Sequence, residues 1–263
     1  MIEKKYFVIG NPIEHSLSPK LHNRWLKENN INGIYEKKEL NENDLKEIVN
    51  EIKNDKINGL NVTTPFKKSI IPFIDQLTPL AREAQSVNTI LKKDDKIVGD
   101  NTDVGGFEEG MKHINYNVKN KKIFILGAGG VAPSIIIALK RLGASKISLS
   151  NRTKEKAENL KIFYPNLEII DWGEKTNFDM IINATSLGLK ESDEIKLNYD
   201  HIGPNKLFYD VIYNPSETNF LKKAKLSGNK IENGKMMFIY QAQLAFKAWH
   251  DILPKVSENL LNQ

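Results

Sequence analysis

The stretch Gly127-Ala128-Gly129-Gly130-Val131-Ala132 constrains this chain more than any other segment. It is a G-x-G-x-x-A sequence set directly after the apolar run 123–126, and it opens a helix-forming segment that Gly143 closes. The first glycine permits a tight strand-to-helix turn, the second lets the backbone approach a pyrophosphate, and the small third residue lets helix and strand pack closely. The helix end then offers unpaired N–H groups and positive dipole to the phosphates. A doubly wound α/β domain that binds a dinucleotide follows.

The next strand refines the ligand. A site for NAD carries an acid at the end of that strand, where a carboxylate accepts hydrogen bonds from the ribose 2′-hydroxyl. Here that place holds Asn151-Arg152-Thr153, with Lys154 and Lys156 close behind. A guanidinium can stack on adenine and pair with a 2′-phosphate, and the hydroxyl and amide donate further bonds. The expected cofactor is NADP. Thr153 also suits the N-cap of the following helix, a role compatible with binding.

A length of 263 residues accommodates two domains of ordinary size. Short β-branched runs at 6–9, 34–38 and 57–62 alternate with helical patterns opening at Ser18-Pro19 and over 43–54, and Pro65 reads as another helix start. Residues 87–91 and 97–98 flank a polar turn and read as a hairpin. After a Lys- and Asn-rich stretch near 113–122, a second series of apolar strands covers 123–126, 146–149, 168–170, 180–182 and 207–212. The final amphipathic helix, 235–252, is expected to fold back onto the first half. The fold class is therefore α/β in two domains, with a cleft between them. Residues 1–104 plus 237–263 form an α/β domain with a mostly parallel sheet, and 105–236 a Rossmann-like NADP domain.

Composition removes several function classes. No apolar run nears the roughly 20 residues that span a bilayer. The N-terminus lacks a signal peptide's apolar stretch, and the chain has no cysteine, so the cytoplasm is the expected compartment. The 38 basic residues against 33 acidic ones are scattered rather than gathered in a stripe, which disfavours nucleic acid and suits an anionic ligand. The five histidines show no metal-ligand spacing, and no metal is expected.

Three polar clusters in the first half fall where loops should leave the carboxyl ends of strands: Ser16-Leu17-Ser18-Pro19, Asn61 to Lys67, and Asn88-Thr89 with Asp100-Asn101-Thr102-Asp103. Taken singly they read as caps and turns, with Ser18 and Thr64 as candidate N-caps. Taken together with GNPIEHSLSP, NVTTPFK, SVNTI, GDNTDVGGF, GAGGVA, NRT, NATSLG, DVIYNP and ENGKMMFIYQAQLAF, they make the chain resemble the shikimate dehydrogenase family over nearly its whole length.

The resemblance implies reversible, NADP-dependent reduction of 3-dehydroshikimate to shikimate in aromatic amino-acid (chorismate) biosynthesis. It implies that Ser16 and Ser18 hold the substrate carboxylate, that Asn61, Thr63, Asn88 and Gln241 meet ring hydroxyls, and that Tyr213 approaches the substrate. Lys67 and Asp103 flank the reacting oxygen. Gly127, Ala128, Gly129 and Gly130 meet the pyrophosphate, Asn151, Arg152, Thr153 and Lys156 the 2′-phosphate side, Thr185 and Ser186 lie along the cofactor, and Gly234 approaches the nicotinamide.

The chemistry asks for the same residue types. Taking hydride from a secondary alcohol requires a base within hydrogen-bond reach of its oxygen, and Lys67 is the choice. Its exchange of protons with Asp103 leaves open which of the two carries the proton in each direction. Lys156 stands where the family often has arginine, giving a point charge instead of a fork. The alternatives are an NAD-linked quinate/shikimate dehydrogenase, against which Arg152 argues, and a non-catalytic ligand sensor on the same fold, which would not need both Lys67 and Asp103. The expected partner is a small-molecule substrate, with neither nucleic acid nor membrane, for a monomer or homodimer.

Overall fold

In a computed structural model that describes residues 3–174, 176–197, 202–257 and 260, the chain divides into two compact units, residues 1–106 with 239–263 and residues 107–238. The divisions fall inside two helices, Asp103–His113 (α4) and Lys235–His250 (α8).

The first unit is built on β1 (Lys4–Gly10), α1 (Ser18–Glu28), β2 (Gly33–Glu39), α2 (Leu45–Lys53), β3 (Gly59–Val62), β4 (Gln76–Leu77), α3 (Pro79–Ala84), β5 (Thr89–Lys93) and β6 (Lys96–Asp100). Its sheet order is β2-β1-β3-β5-β6-β4. β1 pairs in parallel with β2 and β3, and β4 with β6, while β5 runs antiparallel to both β3 and β6. The β5–β6 connection is a two-residue hairpin whose Asp94 and Asp95 both have positive φ, as a type I′ turn requires.

α2 shows how sequence spacing becomes packing: Leu45, Ile48, Val49 and Ile52 fall on one helical face, and all four are buried against Leu60, Val62 and Ile90 of the sheet. Each such side chain contributes roughly 1.5–3 kcal/mol of burial. From Ile239 onward the last helix belongs to this unit, where Trp249 donates its indole N–H to the Ile90 carbonyl at 3.0 Å and packs on Tyr6 and Tyr35.

The helix expected from Pro65 is absent. Residues 64–70 form successive turns and lead to a short 3₁₀ turn at Ile71–Phe73. Their hydrogen bonds run mainly from residue i to i−3, as in Phe66 N–H to Thr63 O at 2.9 Å, so no continuous α-helical ladder forms. β4, α3 and the last strand of the second unit were not anticipated either; β4 is two residues long, too short to show a period.

The second unit holds β7 (Lys122–Leu126), α5 (Ala132–Arg141), β8 (Lys146–Ser150), α6 (Lys154–Phe163), β9 (Glu168–Ile169), β10 (Met180–Asn183), β11 (Leu207–Asp210), α7 (Asn219–Leu226) and β12 (Lys230–Glu232). All its strands are parallel, in the order β9-β8-β7-β10-β11-β12. This is the doubly wound order, in which ligands bind at the carboxyl edge where the order reverses, between β7 and β10. Apolar residues fill the central strands, because a parallel sheet covered on both faces exposes neither.

Candidate active site

Strand order explains how the polar clusters of the first unit meet. Asn61 near the end of β3 is opposite Thr89 at the start of β5, and Thr89 is opposite Asp100 at the end of β6. The antiparallel β5 thus brings its amino end to the edge where β3 and β6 leave by their carboxyl ends. Asn61, Asn88 and the 101–103 segment are neighbours for that reason.

At this edge Lys67 donates from Nζ to Asp103 Oδ2 at 2.6 Å, with the two side chains only 13% and 7% exposed. The other carboxylate oxygen, Oδ1, accepts from Asn88 Nδ2 at 2.9 Å. Asn88 is itself fixed: its Oδ1 accepts from the Thr102 N–H at 2.8 Å, and its Nδ2 also lies 3.0 Å from Thr102 Oγ1 and 3.3 Å from Gln241 Oε1. Backbone bonds tie the strands of the site together, Val87 N–H to Lys67 O at 2.8 Å and Asn88 N–H to Asp100 O at 3.0 Å. Asn101 reaches back to Ser86 O and accepts from Val104 N–H at 3.3 Å, which sets the start of α4 and with it Asp103.

Asn61 is buried and committed: Nδ2 donates to Asn88 O at 3.0 Å and to Thr89 Oγ1 at 3.1 Å, and Oδ1 accepts from Tyr35 Oη at 2.7 Å. With both amide hydrogens engaged, the capacity left for a ligand is a lone pair on Oδ1. Thr63 is half-buried and donates its N–H to Ile9 O at 2.9 Å. Ser16 and Ser18 lie on the segment following β1, Ser16 Oγ accepting from the Ser18 N–H at 3.3 Å. Leu17, not Ser18, occupies the N-cap of α1, and Thr64 caps nothing because no helix follows it.

In the second unit, Gly127 follows β7 with φ +107°, and a Cβ there would stand 2.8 Å from Thr185 Cγ2 and 2.9 Å from the Ala184 backbone. Only glycine satisfies both demands. Gly129 and Gly130 are exposed, and α5 begins with no side chain capping its N-terminus. The arrangement suits an anionic group lying over the turn.

Asn151 organises this turn from the neighbouring strand: Oδ1 accepts from the Ala128 N–H at 3.0 Å, and Nδ2 donates to Thr153 O at 2.8 Å. Two residues expected to meet different phosphates are thereby joined to each other. Arg152, Thr153 and Lys156 are exposed, and Thr153, at the N-cap of α6, makes no capping bond with its side chain. No carboxylate stands between Ser150 and Lys154, so the end of β8 fits a 2′-phosphate better than a bare ribose.

Thr185 is half-buried and Ser186 exposed on the segment leaving β10. Tyr213 follows β11 and stacks on Phe238 with ring centroids 4.4 Å apart. Gly234 is buried, donates its N–H to Ile212 O at 3.1 Å, and has no room for a Cβ against the Val211 carbonyl. Thr102, from the third polar cluster, also holds the site together, as do Tyr35, Asn183 and Asp210, which sequence reasoning did not single out. Asn183 lies in NATSLG and Asp210 in DVIYNP, the signal that could have found them; Tyr35 carries none. Among the described residues there is no group of three or more His, Cys, Asp or Glu side chains placed to hold a metal, and no helix is long and apolar enough to cross a membrane.

Residues 8–90 match the family described as shikimate dehydrogenase substrate binding domain, and residues 109–188 the family described as shikimate / quinate 5-dehydrogenase. The chain is 59% identical to a shikimate dehydrogenase (NADP(+)) of Pelagibacter ubique over 99% of this chain and 98% of that one. The crystal structure of shikimate dehydrogenase from Aquifex aeolicus superposes with a TM-score of 0.89 at 39% identity, covering 100% of this chain and 98% of that one. A shikimate dehydrogenase solved in complex with NADP+ gives a TM-score of 0.92 at 33% identity, covering 99% and 94%.

Proposed function

The chain belongs to the shikimate dehydrogenase family, and on that premise we propose that it catalyses the reversible, NADP-dependent reduction of 3-dehydroshikimate to shikimate. The observation that carries the reading is the largely enclosed Lys67–Asp103 pair, whose carboxylate Asn88 orients from the other side. A sensor needs affinity alone; a dehydrogenase needs a proton donor beside the reacting oxygen.

NADPH, when bound, supplies the hydride that reduces the ring ketone. The residues of the chain manage the proton and the orientation. As charge develops on the ketone oxygen, the Lys67 ammonium donates a proton to it, and in the oxidising direction the same nitrogen takes the proton back. Asp103, held by Asn88, keeps the ammonium aimed at that oxygen. Ser16 and Ser18 take the substrate carboxylate through their hydroxyls. Asn61 offers a ring hydroxyl an acceptor at Oδ1, while Thr63, Asn88 and Gln241 provide further polar contacts, and Tyr213 completes the substrate's surroundings.

For the cofactor, the turn Gly127–Gly130 and the start of α5 receive the pyrophosphate, with Asn151 holding the turn in shape. Arg152, Thr153 and Lys156 take the 2′-phosphate, Thr185 and Ser186 line the middle of the dinucleotide, and Gly234 approaches the nicotinamide end. The reaction belongs to aromatic amino-acid biosynthesis, and we place it in the cytoplasm. Initial rates at 340 nm with shikimate or quinate, and with NADP or NAD, test the proposal. Turnover is expected to be fastest with shikimate and NADP. A preference for quinate with NAD, or tight shikimate binding with no turnover, would refute it.

A further inference from the structure

Asp210, the last residue of β11, is fully buried, and no described Lys, Arg or His pairs with it. A buried carboxylate without a counter-charge is costly unless hydrogen bonds fill its oxygens. Here Oδ1 accepts from the Ile212 N–H and from Asn183 Nδ2, both at 3.0 Å, and Oδ2 accepts from Thr218 Oγ1 at 2.7 Å. Even so, burial pushes the carboxyl up to about 6. Its hydrogen bonds run to Ile212, Asn183 and Thr218, outside the glycine turn.

Its influence passes through Asn183, which is also fully buried. A carboxylate can only accept, so Asn183 must turn its NH₂ toward Asp210 and its carbonyl the other way. That orientation is what the next segment needs: Asn183 Nδ2 also donates to Leu187 O at 2.9 Å, and Oδ1 accepts from the N–H and hydroxyl of Thr185 at 3.1 and 2.7 Å. Thr185 Oγ1 in turn accepts from the Leu187 N–H at 3.0 Å. The segment so held lies against Gly127, at the reversal of strand order between β7 and β10.

We propose that Asp210 is a positioning residue for the cofactor: by fixing the amide orientation of Asn183 it holds residues 185–188 in the shape that receives NADP. This rests on the reading that Thr185 and Ser186 lie along the cofactor. Asp210→Asn tests it, because the variant keeps size and turns its NH₂ to the Thr218 hydroxyl, but its single oxygen must serve both Ile212 and Asn183 without the carboxylate charge, which loosens the hold on the Asn183 amide.

The Kd of NADP for D210N, measured by titration calorimetry, should rise about fivefold to tenfold, in the range expected when hydrogen bonds to a charged acceptor become bonds to a neutral one. The KM for NADP should rise in step, with the KM for shikimate and kcat at saturating NADP within about twofold of wild type. In the protein without cofactor, hydrogen exchange at 185–188 should accelerate while that of β7 stays unchanged.

Thr218→Val, which removes a bond to the same carboxylate on the α7 side, should lower the melting temperature and leave the NADP Kd alone. Equal weakening by T218V and D210N, or a D210N protein with unaltered Kd or exchange, overturns the proposal. If D210N does not fold, Asn183→Ser carries the same expectation for NADP and for exchange, with the same outcomes deciding. A wild-type protein that binds no NADP removes the cofactor reading and the proposal together, whereas wild-type binding matched by D210N removes the proposal alone.

Discussion

Lys67→Met removes one ammonium and keeps most of the volume of the side chain. General acid–base groups contribute typically 10²–10⁴ in rate, so kcat for shikimate oxidation should fall about a thousandfold. Stability should fall too. Asp103 would keep its bond from Asn88 but lose the 2.6 Å partner on Oδ2 while remaining only 7% exposed. Stranding a fully buried charge costs about 3–5 kcal/mol, and with one hydrogen bond retained and water able to enter beside the partly exposed lysine site, about 2–3 kcal/mol is expected. Adding Asp103→Asn removes the stranded charge, so the double variant should regain about 1–2 kcal/mol while staying inactive. Urea denaturation gives the stabilities and absorbance at 340 nm the rates. If K67M keeps kcat within about threefold, Lys67 is not the proton donor. If it is inactive but no less stable, the pair is not buried in the sense argued.

Three other outcomes follow from the same geometry. Arg152→Ala should raise the KM for NADP about tenfold or more and leave that for NAD nearly unchanged, since only the 2′-phosphate loses a partner; equal effects on both cofactors would count against the assignment. Gly127→Ala forces a side chain into a backbone with φ +107° and to within 2.8 Å of Thr185 Cγ2, so it should cost about 2 kcal/mol or more and abolish NADP binding by calorimetry. His22, buried on the face of Tyr35 with neither ring nitrogen hydrogen-bonded, is held down to about 3 by burial first and His250 second. Because the unfolded chain takes up this proton below about 6.5 and the folded one only near 3, its contribution is complete above 6.5 and is lost as pH falls toward 3. That amounts to about 2 kcal/mol less stability at pH 5 than at pH 8. His22→Phe should flatten the slope in urea melts, and an unchanged slope would show that other groups set it.

What the chain's sequence determined by itself is whatever contiguous residues carry. The turn after β7, the basic cluster at 151–156 and the apolar parallel strands were legible because a tight turn, a local concentration of basic side chains and a doubly buried strand are each written in residues within a few positions of one another. The motif NVTTPFK likewise marked Lys67 before any neighbour was known.

Tertiary structure decided the partnerships. Lys67 meets Asp103 across 36 residues, Tyr35 meets Asn61 across 26, Asn183 meets Asp210 across 27 and Asn88 meets Gln241 across 153. None of these pairings has a local signature. They exist because an antiparallel β5 lies between β3 and β6, because β10 lies beside both β7 and β11, and because the final helix carries Gln241 back to the first unit. The same cause made 64–70 a series of turns where Pro65 alone suggested a helix: that segment is bonded to its strand neighbours, Asn11 N–H to Thr64 O and Val87 N–H to Lys67 O, and such long-range bonds outweigh a local start signal. Residue types specify what chemistry is available, whereas strand order, which depends on the burial of the whole chain, specifies which of those residues face one another.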